Sequence, residues 1–158
     1  MLLKRRAIFD CNAMLQAASR PDGPAGECMR LASAGRWVPV VSPSILAEFE
    51  AVVSRAKVRT KMRLSEKAVA EFLRSFRTMI LILPDPPELV TFDRDPGDAN
   101  YINLSIASKA LLIVTRDTDL LDLMWDTDAA GVKIRADYPG FRVLTPPAFL
   151  DELRAGQP

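Results

Sequence analysis

The sequence predicts an α/β fold of three layers, with a central, mainly parallel sheet flanked by helices. Three observations lead there. Short apolar runs at 7–9, 37–41, 79–83, 111–114 and 141–144 alternate with longer stretches of helical spacing. Helix boundaries between them are marked by Ser42-Pro43, by Ser65 and by Gly35. Acids follow two of the runs, Asp10 after Ala7–Phe9 and Asp117 after Leu111–Thr115. The carboxyl ends of parallel strands are where open α/β sheets bind their ligands.

Taken in order, Ala7–Phe9 is the first strand. Residues 13–23 are expected to be a strand-exit turn and loop, with Pro21-Asp22-Gly23 as turn chemistry. Pro24 to Ala34 predicts a helix, with proline at its start and Gly35 past its end. Trp37–Val41 predicts a strand, although Pro39 cannot donate to a ladder. Ser42 caps the next helix and Pro43 opens it. Ile45, Leu46, Phe49, Val52 and Val53 fall at helical spacing, and Glu48 lies in the second turn. Glu50 is rotated away from Glu48 and is expected to face solvent. Ser65 starts a helix to about Arg77, and Met79–Leu83 is a strand ended by Pro84. A loop rich in proline and acid follows from Asp85 to Pro96. Asp98 begins a helix to Lys109, Leu111–Val114 is a strand, and 122–139 is expected to be irregular, with Gly131 in a turn. Phe141–Leu144 is the last strand, and a short helix runs from Pro146 to about Arg154.

With 158 residues and 49% apolar content, the chain is expected to form one domain, 1–158. Met1 to Arg6 is followed by only three apolar residues before Asp10, too few for a signal-peptide core. Two cysteines, Cys11 and Cys28, cannot make a disulfide framework. The expected location is the cytoplasm.

The chain contains no histidine. That excludes a Ser-His-Asp triad, a histidine zinc site and a pair of histidines acting as acid and base. Carboxylates remain, and they favour oxygen-seeking ions, Mg²⁺ or Mn²⁺. Each acid also has an ordinary explanation: Asp10 and Asp98 as caps, Asp117 and Asp119 as a turn, Glu48 as a solvated helix residue. Carboxylates gathered at one sheet edge without a cation repel one another and take up protons. A divalent metal resolves that conflict and implies metal-assisted phosphodiester hydrolysis.

Four blocks carry a resemblance: Ala7-Ile8-Phe9-Asp10-Cys11-Asn12, Ser42-Pro43-Ser44-Ile45-Leu46-Ala47-Glu48-Phe49, Arg94-Asp95-Pro96-Gly97-Asp98, and Ile113-Val114-Thr115-Arg116-Asp117-Thr118-Asp119. In this order and spacing the chain resembles the PIN-domain family, in particular the toxin components of bacterial type II toxin-antitoxin systems. The resemblance implies a PIN-like fold and an endoribonuclease that uses carboxylate-bound Mg²⁺ or Mn²⁺ and a metal-activated water. It makes Asp10, Glu48, Asp98 and Asp117 the catalytic, metal-holding acids, with Asp119 a further metal acid and Asn12 a polar neighbour of the substrate. It further implies an RNA substrate, a cognate antitoxin and a homodimer. Cys11 departs from the family's usual threonine.

Arg55, Lys57, Arg59, Lys61 and Arg63 place five cations in nine residues with no acid between them. They are expected around a helix end or in a loop, where Arg55, Lys57, Arg59, Lys61 and Arg63 meet substrate phosphates, dock an acidic partner or form a solvated surface run. Arg116, beside Asp117, is a further substrate contact, and Lys4-Arg5-Arg6 is expected to add local positive charge. Two rivals are weighed. A haloacid-dehalogenase-type phosphatase needs an aspartate where this chain has Asn12, and a receiver domain finds only Asp85 as a weak acceptor. A PIN scaffold that binds RNA or a partner without cutting is the other.

Overall fold

A computed structural model describes residues 4–156. The reading of Met1-Leu2-Leu3 lies outside the described residues. Five strands form one sheet: β1 Arg5–Phe9, β2 Trp37–Val41, β3 Leu81–Ile82, β4 Leu112–Val114 and β5 Arg142–Leu144. Their order is β3-β2-β1-β4-β5, and every recorded pair is parallel. The helices are α1 Cys11–Ser19, α2 Pro24–Ser33, α3 Pro43–Val53, α4 Ala56–Met62, α5 Glu66–Met79, α6 Ala99–Ala107, α7 Thr118–Leu121, α8 Ala129–Asp137 and α9 Pro146–Ala155.

The chain builds outward from β1 to β3, then crosses back to lay β4 on the other side of β1. Right-handed crossovers therefore put α1 to α5 on one face and α6 on the other. The strand order reverses between β1 and β4, and such a switch point opens a crevice at the carboxyl ends of the strands. Asp10 and Asp117 stand at that end.

Aromatic side chains bind the layers. Trp37 of β2 stacks on Phe9 of β1 with centroids 5.1 Å apart and meets Phe149 of α9 edge-on at 5.0 Å. Its indole N–H donates to the Cys28 carbonyl of α2 at 2.7 Å. Phe49 of α3 packs edge-on against Phe72 and Phe76 of α5. Such pairs contribute roughly 0.5–1.5 kcal/mol each beyond their buried area. Pro39 is tolerated in an inner strand for a specific reason. The Val41 carbonyl accepts from Leu83 N–H, so residues 39 and 41 face β3. β3 pairs only with Val40 and Val41, so Pro39 forfeits no ladder bond.

Four expectations are corrected. Residues 13–19 are not loop but most of α1. Asp10 caps it through Ala13 N–H, and Ala13, Met14, Leu15, Ala17 and Ala18 are buried. Alanine, leucine and methionine are strong helix formers, and the turn is confined to residues 20–23. The basic run, expected around a helix end or in a loop, forms a short helix with its caps. Arg55 and Arg63 flank α4, and Lys57, Arg59 and Lys61 lie on it. Residues 122–139 are irregular only in part: after a 3-10 turn over Asp122–Met124, Asp128 caps α8 through Gly131 N–H at 2.8 Å. Gly131 is a helix residue, not a turn. Glu50, expected to face solvent, is instead half-buried at the surface, paired with Arg77.

Gly131 is fixed by close approach. A Cβ there would sit 2.0 Å from the Leu123 carbonyl oxygen. Alanine normally stabilises a helix interior by about 1 kcal/mol over glycine. Here Gly131→Ala is expected to destabilise by roughly 1–3 kcal/mol through overpacking, read as a lower urea midpoint. A raised midpoint would show that α8 yields to the methyl group.

Candidate metal centre

Asp10 ends β1 and begins α1, and only 4% of it is exposed. One carboxylate oxygen accepts from Ala13 N–H at 2.8 Å, and the other accepts from the Thr115 hydroxyl. Thr115, fully buried at the end of β4, in turn accepts from Asp117 N–H at 2.9 Å. Asp117 Oδ1 accepts from Asp119 N–H at 2.9 Å and turns the chain into α7. A relay of side-chain hydrogen bonds thus ties the ends of the two central strands together.

A tight turn supplies the facing acids. The Asp95 side chain accepts from Gly97 N–H at 3.0 Å, starting a 3-10 turn over Pro96–Asp98 that leads into α6. Asp98 does not cap α6 with its side chain. It is 9% exposed, and its Oδ2 is buried with no hydrogen-bond partner among the described residues. One carboxylate oxygen each from Asp95, Asp98 and Asp117 lies within 4.8 Å of the others.

Glu48 projects from α3, exposed, near enough for its charge to raise the Asp10, Cys11 and Tyr101 proton affinities. The crowding shows in the titration behaviour. Burial pushes the Asp98 carboxyl up to about 7, with Asp117, Asp95 and Asp10 adding to the rise. Burial also raises Asp10, opposed by its bonds to Thr115 and Ala13 and reinforced by Asp117 and Glu48. The Cys11 thiol is pushed up to about 12 by burial and then by Glu48 and Asp10, so it stays protonated at neutral pH. Tyr101, buried in α6, accepts from Cys11 N–H at 3.1 Å and pins the start of α1.

The residues fit a divalent ion. All the donors are carboxylate oxygens, the set that Mg²⁺ and Mn²⁺ prefer. Oxygens about 2.0–2.6 Å from one ion stand at most roughly 4–5 Å apart, which matches the spacing of the three aspartates. A buried carboxylate oxygen without a donor is costly unless something else binds it.

The acids named from sequence are placed unequally. Asp98 and Asp117 lie in the close group. Asp10 borders it, with both oxygens engaged, and Glu48 borders Asp10. Asp119 contributes a backbone N–H to the turn, and its carboxylate is not among the three. Asn12 is exposed in the first turn of α1. Asp95, Thr115 and Tyr101 were missed. A polar residue ending an otherwise apolar strand was the available signal for Thr115, and a second aspartate three before Asp98 was the signal for Asp95.

The cations also divide. Arg55 is close enough to lower the Cys11 proton affinity. Lys57 is exposed, and Arg59 pairs with Glu66 at 3.3 Å. Lys61 and Arg116 line a groove of about 700 Å³ together with Arg63, the last cation of the basic run, and Arg20, which was not named as a substrate contact. Lys4, Arg5 and Arg6 lie at the start of β1, the opposite end of the sheet from Asp10, and add no charge to this site.

Comparison with known proteins agrees with this arrangement. A family model described as the PIN domain matches residues 6–119, which include all the acids above. An uncharacterized protein of Methanocaldococcus jannaschii, MJ1680, is 29% identical over 150 residues, spanning 95% of this chain and 92% of its own. Among solved structures, PAE2754 from Pyrobaculum aerophilum superposes with a TM-score of 0.50 and 17% identity, over 97% of this chain and 99% of its own. That last likeness bears on the fold.

Proposed function

The chain belongs to the PIN-domain family, whose members are generally nucleases, and from that premise we propose that it is a metal-dependent endoribonuclease. The observation that carries the reading is the close group of Asp95, Asp98 and Asp117, with its buried, unpartnered Asp98 oxygen. Asp98 and Asp117 would hold the ion most directly. Asp10 would hold the site's shape through Thr115, and Glu48 would face the ion from α3. When bound, Mg²⁺ or Mn²⁺ supplies a nucleophilic water at neutral pH and neutralises charge building on the phosphate. The protein's part is to orient. Thr115 fixes one Asp10 oxygen and the Asp117 backbone together, and the 3-10 turn presents Asp98 to both. Products would carry 5′-phosphate and 3′-hydroxyl ends.

The four-block resemblance supports a finer reading: a toxin restrained by a cognate antitoxin, acting in the cytoplasm as a homodimer. No helix among the described residues is long and apolar enough to cross a membrane.

The test pairs binding with cleavage. Mn²⁺ or Mg²⁺ at a hundred times its dissociation constant is expected to stabilise the wild type by about 2.7 kcal/mol. A variant with Asp10, Glu48, Asp98 and Asp117 all changed to asparagine or glutamine should show no shift. Wild type should cut single-stranded RNA in Mn²⁺ and not in EDTA. A metal-induced shift without any cleavage would favour the non-catalytic scaffold.

A further inference from the structure

We propose that the groove between the α1–α2 turn and the end of α4 holds the phosphates of the RNA strand on one side of the cleaved bond. The ligand's identity rests on the nuclease reading; the groove's preference for a polyanion does not. Arg20, Lys61, Arg63 and Arg116 line it, and no acid does. Among the described residues none of these four makes an ion pair, whereas eight other cations are tied to carboxylates. Four unneutralised cations converging on one concavity repel one another, and a chain of phosphates relieves that repulsion.

Arg63 reaches the groove through the cap that ends α4. It ends α4 in the left-handed conformation, at φ 53°. Glycine or asparagine is the usual occupant of such a position, because a Cβ is strained there. The hydrogen bonds of Arg63 N–H to the Thr60 carbonyl and of Leu64 N–H to the Arg59 carbonyl close this cap, and the way α4 ends thereby sets Arg63 at the groove. Location supplies the rest. Arg116 immediately precedes Asp117, and consecutive Cα atoms are about 3.8 Å apart. The groove therefore opens beside the acids, and a strand with its cleaved phosphate at Asp98 and Asp117 would lay its neighbouring phosphates along it.

The experiment uses the full chain in EDTA, where nothing is cut, and a fluorescent single-stranded RNA. Arg63→Gly relieves the backbone strain, so its denaturation midpoint should equal or exceed that of wild type. Its RNA affinity should nonetheless fall, and the slope of log affinity against log salt should become shallower by about 0.7 for one lost phosphate contact. Changing Arg20, Lys61 and Arg116 to glutamine as well should deepen both losses. RNAs carrying neutral methylphosphonate linkages on one side of the site should bind wild type more weakly and the fourfold variant no differently. Unchanged affinity and slope in Arg63→Gly would overturn the proposal. So would an equal methylphosphonate effect in wild type and fourfold variant, or variants that lose binding to polyglutamate but not to RNA. Groove-dependent binding by a protein that never cleaves in Mn²⁺ would support the groove and sink the nuclease reading alone.

Discussion

Asp98→Asn is expected to lower Mn²⁺-dependent RNA cleavage by at least about a hundredfold, the scale for losing a main electrostatic element of a site, and to leave the fold intact. The side chain is the same size. Its buried Oδ2, which has no donor, would become an amide able to donate toward Asp117. Without metal the variant should therefore be more stable than wild type at pH 8, where wild-type Asp98 is ionised beside Asp117 and Asp95. Gel analysis of RNA products and urea denaturation in EDTA read the two effects separately. In cells, expression of wild type should arrest growth and expression of Asp98→Asn should not. Full cleavage by the variant would remove Asp98 from the centre. Lost cleavage with lowered apo stability would assign it a structural role instead.

The second large effect is on pH dependence. Metal-free wild type is expected to lose stability as pH rises from about 5 to about 8. The sign follows from Asp98, whose carboxyl rises from 3.8 when free to about 7 in the fold. Between those values the folded state binds more protons than the unfolded one, so stability falls with pH. A tenfold change in proton affinity corresponds to about 1.4 kcal/mol, which sets a ceiling of roughly 4 kcal/mol. Solvent screening and relaxation of the site lower that ceiling. Asp10, raised in the same direction, adds to the fall. The window is otherwise quiet. There is no histidine to titrate, and the lowered carboxylates, Glu27, Asp85 and Glu152, act only at more acid pH. Saturating Mn²⁺ should invert the slope, because the ion favours the charged carboxylates and its binding displaces protons. Denaturation midpoints at pH 5 and pH 8, in EDTA and in Mn²⁺, decide it. A metal-free protein that is steadier at pH 8 would contradict a crowded, buried acid.

How much of this was legible depends on the range of each interaction. The strands were legible because continuous apolar runs mark buried parallel strands, and Asp10 and Asp117 because they follow such runs directly. Asp98 was legible as an acid, yet its strongest property, a buried oxygen without a donor, arises only when the 95–98 turn meets β4. Helix α1 was hidden because the Pro21-Asp22-Gly23 turn was extended back over residues 13–19, whose alanines carry little amphipathic contrast. Helix α8 was hidden for a similar reason: of its nine residues only Gly131 and Ile134 are buried. The groove joins residues 20, 61, 63 and 116, which no spacing rule connects. A run of five alternating cations suggested one patch, and folding it into α4 sent them to different places.

The Asp10–Thr115 hydrogen bond joins residues 105 positions apart. It closes the β1–β4 seam, and the acids it gathers come from both halves of the chain. No fragment that stops short of β4 can hold Asp10 and Asp117 together, however well its first strands have paired. During synthesis, which proceeds from the N-terminus, the growing chain therefore holds only part of the acidic centre. Asp10, Glu48 and the cations of α4 emerge early and stay apart from Asp98 and Asp117, and the centre is assembled only when the strand ending in Thr115 slots in beside β1.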